Sequence, residues 1–388
     1  LRGHRPGDIL AQPKERTAMA MRADDGSPSA DLLRLASKVA CYLHGTPAAP
    51  GRIDEPFAQF AMSRHGMGQV LLAAAGDDLD DDVLALLQTR RKALVRRQAF
   101  ETLQLMAVDT CLTAAGVPWL ILKGSPQAAL LYGDAALRPS VDVDVLVPPE
   151  KFAEAFAALR RLGWTAARPK WLPQAFGLPL MRDVDLYAPG AIPFHVELHQ
   201  RPLYLEPFAT TGADLFATAA RRPLPAPMLG APLAYFLFAH GTLSGWCRLK
   251  WLADFSLVIT RLDETGAQAL LAKAVRQNVG SALAASILLA IDVFRPAAQK
   301  VLARWAEPLR AQSSVRRLYG VFWTALTSPD VMRRTPFASR GEAFKIQFLC
   351  YRSWLARGRL MAMAPLAAVA RNISGFTHNF VGSSQREA

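Results

Sequence analysis

Three short clusters of polar residues fall within fewer than eighty positions: Lys123-Gly124-Ser125, Asp142-x-Asp144 and His195-x-Glu197-x-His199. Asp142 and Asp144 lie in VDVDVLV (141–147), whose alternation predicts a strand. Alternate side chains of a strand share a face, so the two carboxylates project together, roughly 6–7 Å apart. Val141, Val143 and Val145 then point the other way, toward a core. Two acids on one face are costly unless neutralised, and a divalent metal does this; Mg²⁺ takes one or two carboxylates and leaves its other positions to water and phosphates. An acidic strand facing solvent would carry the same two residues.

Lys123-Gly124-Ser125 ends the apolar segment VPWLIL (117–122), a predicted strand, and opens a predicted helix over 126–132. Glycine at such a turn lets backbone N–H groups approach a phosphate, and a helix start favours negative charge. Lys123 adds a cation and Ser125 a hydroxyl; an ordinary strand-to-helix turn would read the same. In FHVELH (194–199), His195, Glu197 and His199 share one strand face and Phe194, Val196 and Leu198 the other. Glu197 is the expected third acid of a two-metal site, able to orient and deprotonate an attacking hydroxyl. Two alternatives stand beside it. Asp185, on the companion strand, is the rival third acid, and His195-x-Glu197-x-His199 could bind zinc, although the helical HExxH order is absent.

These elements sit in a small α/β unit over 117–205. Its predicted order is strand, helix, strand, a helix opened by Pro148-Pro149 and closed by Gly163, then a hairpin (184–187 and 194–198) turning at Pro189-Gly190. Helical patterns flank it. Before it, residues 31–116 hold a helix capped by Asp31 over 32–44, then a long one running to 115, with the acidic run Asp77–Asp82 at its positive end and Leu103, Met106, Ala107 and Cys111 as its buried stripe. After it, 206–330 contains helices near 232–244, 248–260, 266–277, 279–294 and 297–311. Residues 1–30 are expected to be disordered and 331–388 to form a basic helical tail. The fold class is therefore α+β: a small mixed sheet with an N-terminal helical segment and a helical C-terminal domain.

Together, KGS, LYGDAALRPSVDVDVLV and VELH resemble the bacterial nucleotidyltransferase-like family of the polymerase-β superfamily, with its pattern KG…LY…R…DxDLLV…ELH. The resemblance covers about residues 80–260 and includes LKWLADF (249–255), similar to that family's LRWLxDL helix. It implies a nucleotidyltransferase that moves a nucleotidyl group from an NTP to a hydroxyl-type acceptor, with two Mg²⁺ ions and release of pyrophosphate. By the match Asp142, Asp144 and Glu197 are the metal and catalytic acids, and Lys123, Gly124, Ser125 and Arg138 bind nucleotide. The eighteen positions from Gly124 to Asp142 exceed the gap in the superfamily's most familiar form. Arg138 is read either as steadying a triphosphate or as a structural ion pair, and Asp254 as the i+4 partner of Lys250. The alternative for the whole chain is an inactive nucleotide-binding or protein-interaction module on the same fold.

The formal net charge of the 388 residues is +13, and between Val331 and Arg371 eight basic residues meet one acid, Glu342. That stretch (Arg333, Arg334, Arg340, Lys345, Arg352, Arg357 and Arg359 among them) suits an anionic partner, whether nucleic acid or membrane surface, or is a solvated face. The acceptor is left open among small molecule, peptide, protein and RNA. Four scattered cysteines argue against a disulfide scaffold, no secretory pattern or transmembrane segment is expected, and the expected location is the cytoplasm. The uncharged run Pro223–Cys247 is read as a buried helix.

Overall fold

The structure, a computed structural model, describes residues 28–46, 51–75, 78–140, 142–166, 183–190, 194–202, 215–216, 228–295, 300–328, 345–346, 348–350, 357–358 and 361. Most of the expected N-terminal disorder (1–27) and most of the basic tail, including Arg333, Arg334, Arg340, Arg352 and Arg359, lie outside these residues.

A five-stranded mixed sheet stands at the centre of the chain. Its strands are β1 (Leu120–Lys123), β2 (Val143–Leu146), β3 (Thr165–Ala166), β4 (Asp183–Tyr187) and β5 (His195–His199), ordered β1-β2-β5-β4-β3. Only β2 and β5 run parallel; the other neighbours are antiparallel. The alternation expected of β2 holds: Val143, Val145 and Val147 are fully buried on one face and Asp144 projects from the other. β2 is shorter than 141–147, and Asp142 stands just ahead of its first residue.

One face of the sheet packs in an apolar core with Phe152, Phe156 and Leu159 of a helix (Phe152–Arg161) and with Val108 and Leu112 of the long helix (Asp81–Ala114). A second, larger core joins Leu32, Leu35 and Val39 of the first helix (Pro28–His44) to the helices Gly230–Leu243, Leu249–Arg261, Gly280–Phe294 and Ser313–Thr327. It also takes Leu120, Leu122 and Leu146 from the sheet. The sheet thus has one wholly apolar face, while on its other face polar residues stand beside that helical core. In chain order we call the helices α1 (Pro28–His44), α2 (Glu55–Gln59), α3 (Gly68–Ala75), α4 (Asp81–Ala114), α5 (Ser125–Tyr132), α6 (Phe152–Arg161), α7 (Gly230–Leu243), α8 (Leu249–Arg261), α9 (Glu264–Arg276), α10 (Gly280–Phe294), α11 (Lys300–Ala306) and α12 (Ser313–Thr327).

Two local expectations are corrected. The first helix starts at Pro28, so Asp31 lies in its first turn rather than capping it; proline's fixed φ suits a helix start. In α4 the buried line is Val83, Leu87, Leu94, Glu101, Val108 and Leu112, whereas Leu103 and Met106 are 64% and 62% exposed. Cys111 of the expected stripe does pack against the sheet's core, but charged Glu101 stands on the buried line, so apolar residues alone do not mark that face. The acidic run at the start of α4 is structural: Asp78 pairs with Lys38, Asp80 with Arg52, and Asp81 and Asp82 occupy the first turn. The four cysteines are free, Cys247 and Cys350 buried and Cys41 and Cys111 half-buried. The uncharged run contributes α7, which is buried along most of its length, and among the described residues no helix is long and apolar enough to cross a membrane.

Candidate functional site

The sheet register assembles the site. Lys123 lies opposite Asp144 across β1 and β2, Asp144 opposite Glu197 across β2 and β5, and Glu197 opposite Asp185 across β5 and β4. Four charged residues from four neighbouring strands therefore form one row across the sheet. A local irregularity between Ile121 and Lys123 brings the lysine into that row.

Asp144 is 1% exposed and meets two partners. The Lys123 ammonium is 2.6 Å from its Oδ2, and His199 Nε2 is 2.8 Å from its Oδ1. The same ammonium is 3.7 Å from Asp142, which also accepts a 2.9 Å hydrogen bond from Ser140. Burial alone would raise the Asp144 pKa, but Lys123 and His199 outweigh it and hold the carboxyl below its usual value. Burial likewise opposes the charge on Lys123, yet Asp144, Asp142 and Glu197 raise its pKa above the ordinary lysine value. Glu197 is pulled down to about 2: burial pushes it up, and the hydrogen bond from His199 with the Lys123 charge overcomes both burial and the nearby Asp144.

Gly124, between β1 and α5, has φ of +121°. A Cβ there would come within 3.1 Å of Val143 Cα and Cγ2 and 3.2 Å of the Asp142 carbonyl, so the turn lies directly against the strand that carries the acids. Ser125 begins α5, close to the buried carboxyl of Glu101. Glu101 is 4% exposed; burial raises its pKa against the pull of Ser125 and Arg97. Sequence reasoning missed it, although a signal existed: Leu87, Leu94, Glu101 and Val108 recur every seven residues along the buried line of α4.

Arg138 is buried. Its Nε and Nη2 donate to Asp254 Oδ2 at 2.9 and 2.7 Å, while the Tyr132 hydroxyl donates to Asp254 Oδ1 at 2.7 Å. The expected Lys250–Asp254 pair is thus corrected. Asp254 points inward to Arg138 and Tyr132, and the Lys250 stem runs instead past Gly66. The Lys250 ammonium makes no hydrogen bond or ion pair among the described residues. Burial first, then Arg138 and Arg248, lower its pKa to about 7. Asp142 and Asp254 also act on it, which puts Lys250 in the electrostatic neighbourhood of the acidic row. A cavity of about 310 Å³, lined by Gln59, Ser63, Gly66, Gln69, Arg90 and Pro139, opens beside the segment that runs from Arg138 into β2.

His195, Glu197 and His199 do not converge on one ion as the zinc alternative required. The two imidazoles flank Glu197 and face different aspartates: His199 faces Asp144, and His195 Nε2 is 2.9 Å from Asp185 Oδ1. Donor atoms of Asp144, Glu197 and His199 lie within 4.8 Å of one another, as do those of Asp185, His195 and Glu197, so each group could hold a metal ion. The face also fits a divalent metal on independent grounds. Asp142 and Asp144 reach a common point where a cation, the Lys123 ammonium, already sits, and their oxygen donors are of the type Mg²⁺ prefers.

No curated protein and no solved structure matches the chain. Residues 62–295 match the family described as uncharacterised nucleotidyltransferase, a span that takes in α4, the whole sheet, Arg138, Asp254 and the row of acids. That match covers more than half of the 388 residues, and the chain belongs to the uncharacterised nucleotidyltransferase family.

Proposed function

We propose that the protein transfers a nucleotidyl group from an NTP to a hydroxyl-type acceptor and releases pyrophosphate, using Asp142, Asp144 and Glu197 to hold two Mg²⁺ ions. The observation that supports this best is the register that sets Asp144 opposite Glu197 beside the Gly124 turn. When bound, Mg²⁺ would neutralise phosphate charge and polarise the phosphoryl oxygens. The glycine turn offers backbone N–H groups to the phosphates, and Lys123 is the cation close enough to the acids to follow the phosphates onto them. Glu197, held at about 2, is a weak proton acceptor near neutral pH. Its work is ligation and orientation of the acceptor side. Arg138, fastened to Asp254, acts on nucleotide by fixing the segment leading to Asp142.

One observation favours the second reading, an inactive nucleotide-binding or interaction module. Lys123 already pairs with both acids. Titration calorimetry with MgATP and MgGTP, paired with a pyrophosphate-release assay against candidate acceptors, separates the two. Transfer requires Mg²⁺-dependent binding that fails in Asp142→Asn and Asp144→Asn, together with pyrophosphate release. Binding without release under every acceptor favours the module. Unchanged affinity in both variants removes the metal site.

A further inference from the structure

On the far side of Glu197 from Asp144 lies a second group of donors, of which nucleotidyl transfer on the aspartate pair uses Glu197 alone. His195 Nε2 approaches Asp185 Oδ1 at 2.9 Å, and the donor atoms of Asp185, His195 and Glu197 all lie within 4.8 Å of one another. Two features make this more than a chance meeting of acids. The three residues are fixed by strand register, with Asp185 opposite Glu197 and His195 two positions before Glu197 on the same face. The His195 ring is also stacked on Tyr187, with centroids 4.8 Å apart and planes within 9°, so its orientation is set before any ion arrives. The side chains are 15%, 11% and 16% exposed for His195, Asp185 and Glu197, which leaves the group within reach of solvent.

We propose that Asp185, His195 and Glu197 form a separate site for a divalent transition ion of the zinc type, with Glu197 as the carboxylate shared between this site and the acids on β2. The donor set carries the choice of ion. One imidazole nitrogen with two carboxylates suits zinc-like ions, whereas oxygen donors alone suit Mg²⁺. Ligand bonds of about 2.0–2.2 Å hold donor atoms no more than roughly 4.4 Å apart, so the group needs only small side-chain adjustments. Three protein ligands leave a fourth position for water or an acceptor hydroxyl, as in open zinc sites. The site would therefore stand on the acceptor side of Glu197, away from Lys123. It goes beyond the Mg²⁺ reading and shares only Glu197 with it.

The probe is Co²⁺, added to the full chain after chelator treatment and followed by visible absorption and by calorimetry. About one Co²⁺ per chain should bind with a spectrum that includes nitrogen ligation. His195→Gln and, independently, Asp185→Asn should each weaken Co²⁺ binding by about a hundredfold, with circular dichroism reporting whether each variant is folded. Asp142→Asn, which leaves all three ligands in place, should keep Co²⁺ affinity within a few-fold even as it loses Mg²⁺-dependent nucleotide binding. Co²⁺ binding that survives both His195→Gln and Asp185→Asn, or that is lost in Asp142→Asn alone, overturns the proposal. Loss of nucleotide binding in Asp142→Asn with Co²⁺ binding intact is the expected pattern, so a failure of either site is seen apart from the other.

Discussion

Arg138 donates two hydrogen bonds to one carboxylate oxygen of Asp254, 116 residues further along the chain, and the pair is almost wholly buried. It ties the segment that enters β2 to α8 of the helical core. Tyr132, from the helix after the glycine turn, holds the other oxygen of Asp254. The turn, the acid strand and the C-terminal helices are therefore joined at one carboxylate.

Removing one partner strands a buried charge, so Asp254→Ala and Arg138→Ala are each expected to cost about 3–5 kcal/mol. Arg138→Lys should recover little, because an ammonium cannot supply the guanidinium's two parallel donors. The double variant should cost clearly less than the sum. Urea denaturation of the parent and these four variants tests this, and additive losses would mean that the two side chains do not stabilise the fold through each other.

Lys123 is the internal counter-ion of the acid pair, so a metal held there as proposed would compete with the lysine for one place. Lys123→Met should lower stability in metal-free buffer by about 3 kcal/mol, because Asp144 loses its strongest neutralising partner. Mg²⁺ should restore much of that loss and should raise the melting temperature of the variant more than that of the parent protein. Scanning calorimetry with and without Mg²⁺ reads both effects; equal responses to Mg²⁺ would contradict the competition.

Gly124 has a left-handed backbone and its missing side chain is filled by β2. Gly124→Ala should cost about 1–3 kcal/mol from strain alone. It should also displace Val143 and, with it, the acids on either side, so Mg²⁺-dependent nucleotide affinity should fall further than stability does. Thermal unfolding and calorimetry on the same sample make the comparison. A variant that binds MgATP like the parent would show that the turn does not set the acids.

Acid should destabilise the protein in two stages. His65, whose Nδ1 accepts a 3.1 Å hydrogen bond from the Leu249 N–H, is held neutral by burial and the nearby Arg64 and Arg248, with its pKa lowered from 6.5 to about 3. Below pH 6.5 the unfolded chain takes up a proton that the folded one refuses, so stability falls from there toward pH 3. Glu197 is depressed from 4.5 to about 2, so what it contributes is complete above pH 4.5 and is lost as the pH falls toward 2. His195, which burial lowers but Asp185 raises further, works the other way between about pH 7 and 6, so the two contributions are read from variants. Urea midpoints of His65→Asn should fall less than the parent's from pH 6.5 downward, and Glu197→Gln should flatten the curve only below about pH 4.5. A His65→Asn variant whose curve between about pH 6.5 and 4.5 keeps the slope of the parent's would rule out the His65 contribution.

Local periodicity alone determined that the chain carries a small α/β unit between helical regions, that Asp144 and Glu197 project from strands whose valines and leucines are buried, and that a glycine turn precedes them. A strand's period of two and a helix's caps are properties of consecutive residues, so the sequence contains them outright. Tertiary structure decided the rest. Inserting β5 between β2 and β4 places Glu197 opposite both Asp144 and Asp185, and so splits the two histidines between two aspartates. Lys123 joins the row through an irregular β1–β2 register, Arg138 finds Asp254 instead of leaving it to Lys250, and α4 buries Glu101 while Leu103 and Met106 face outward. These outcomes depend on pairings between segments tens of residues apart or more. Once a buried position is filled by a charged side chain, apolar spacing no longer says which face is inside.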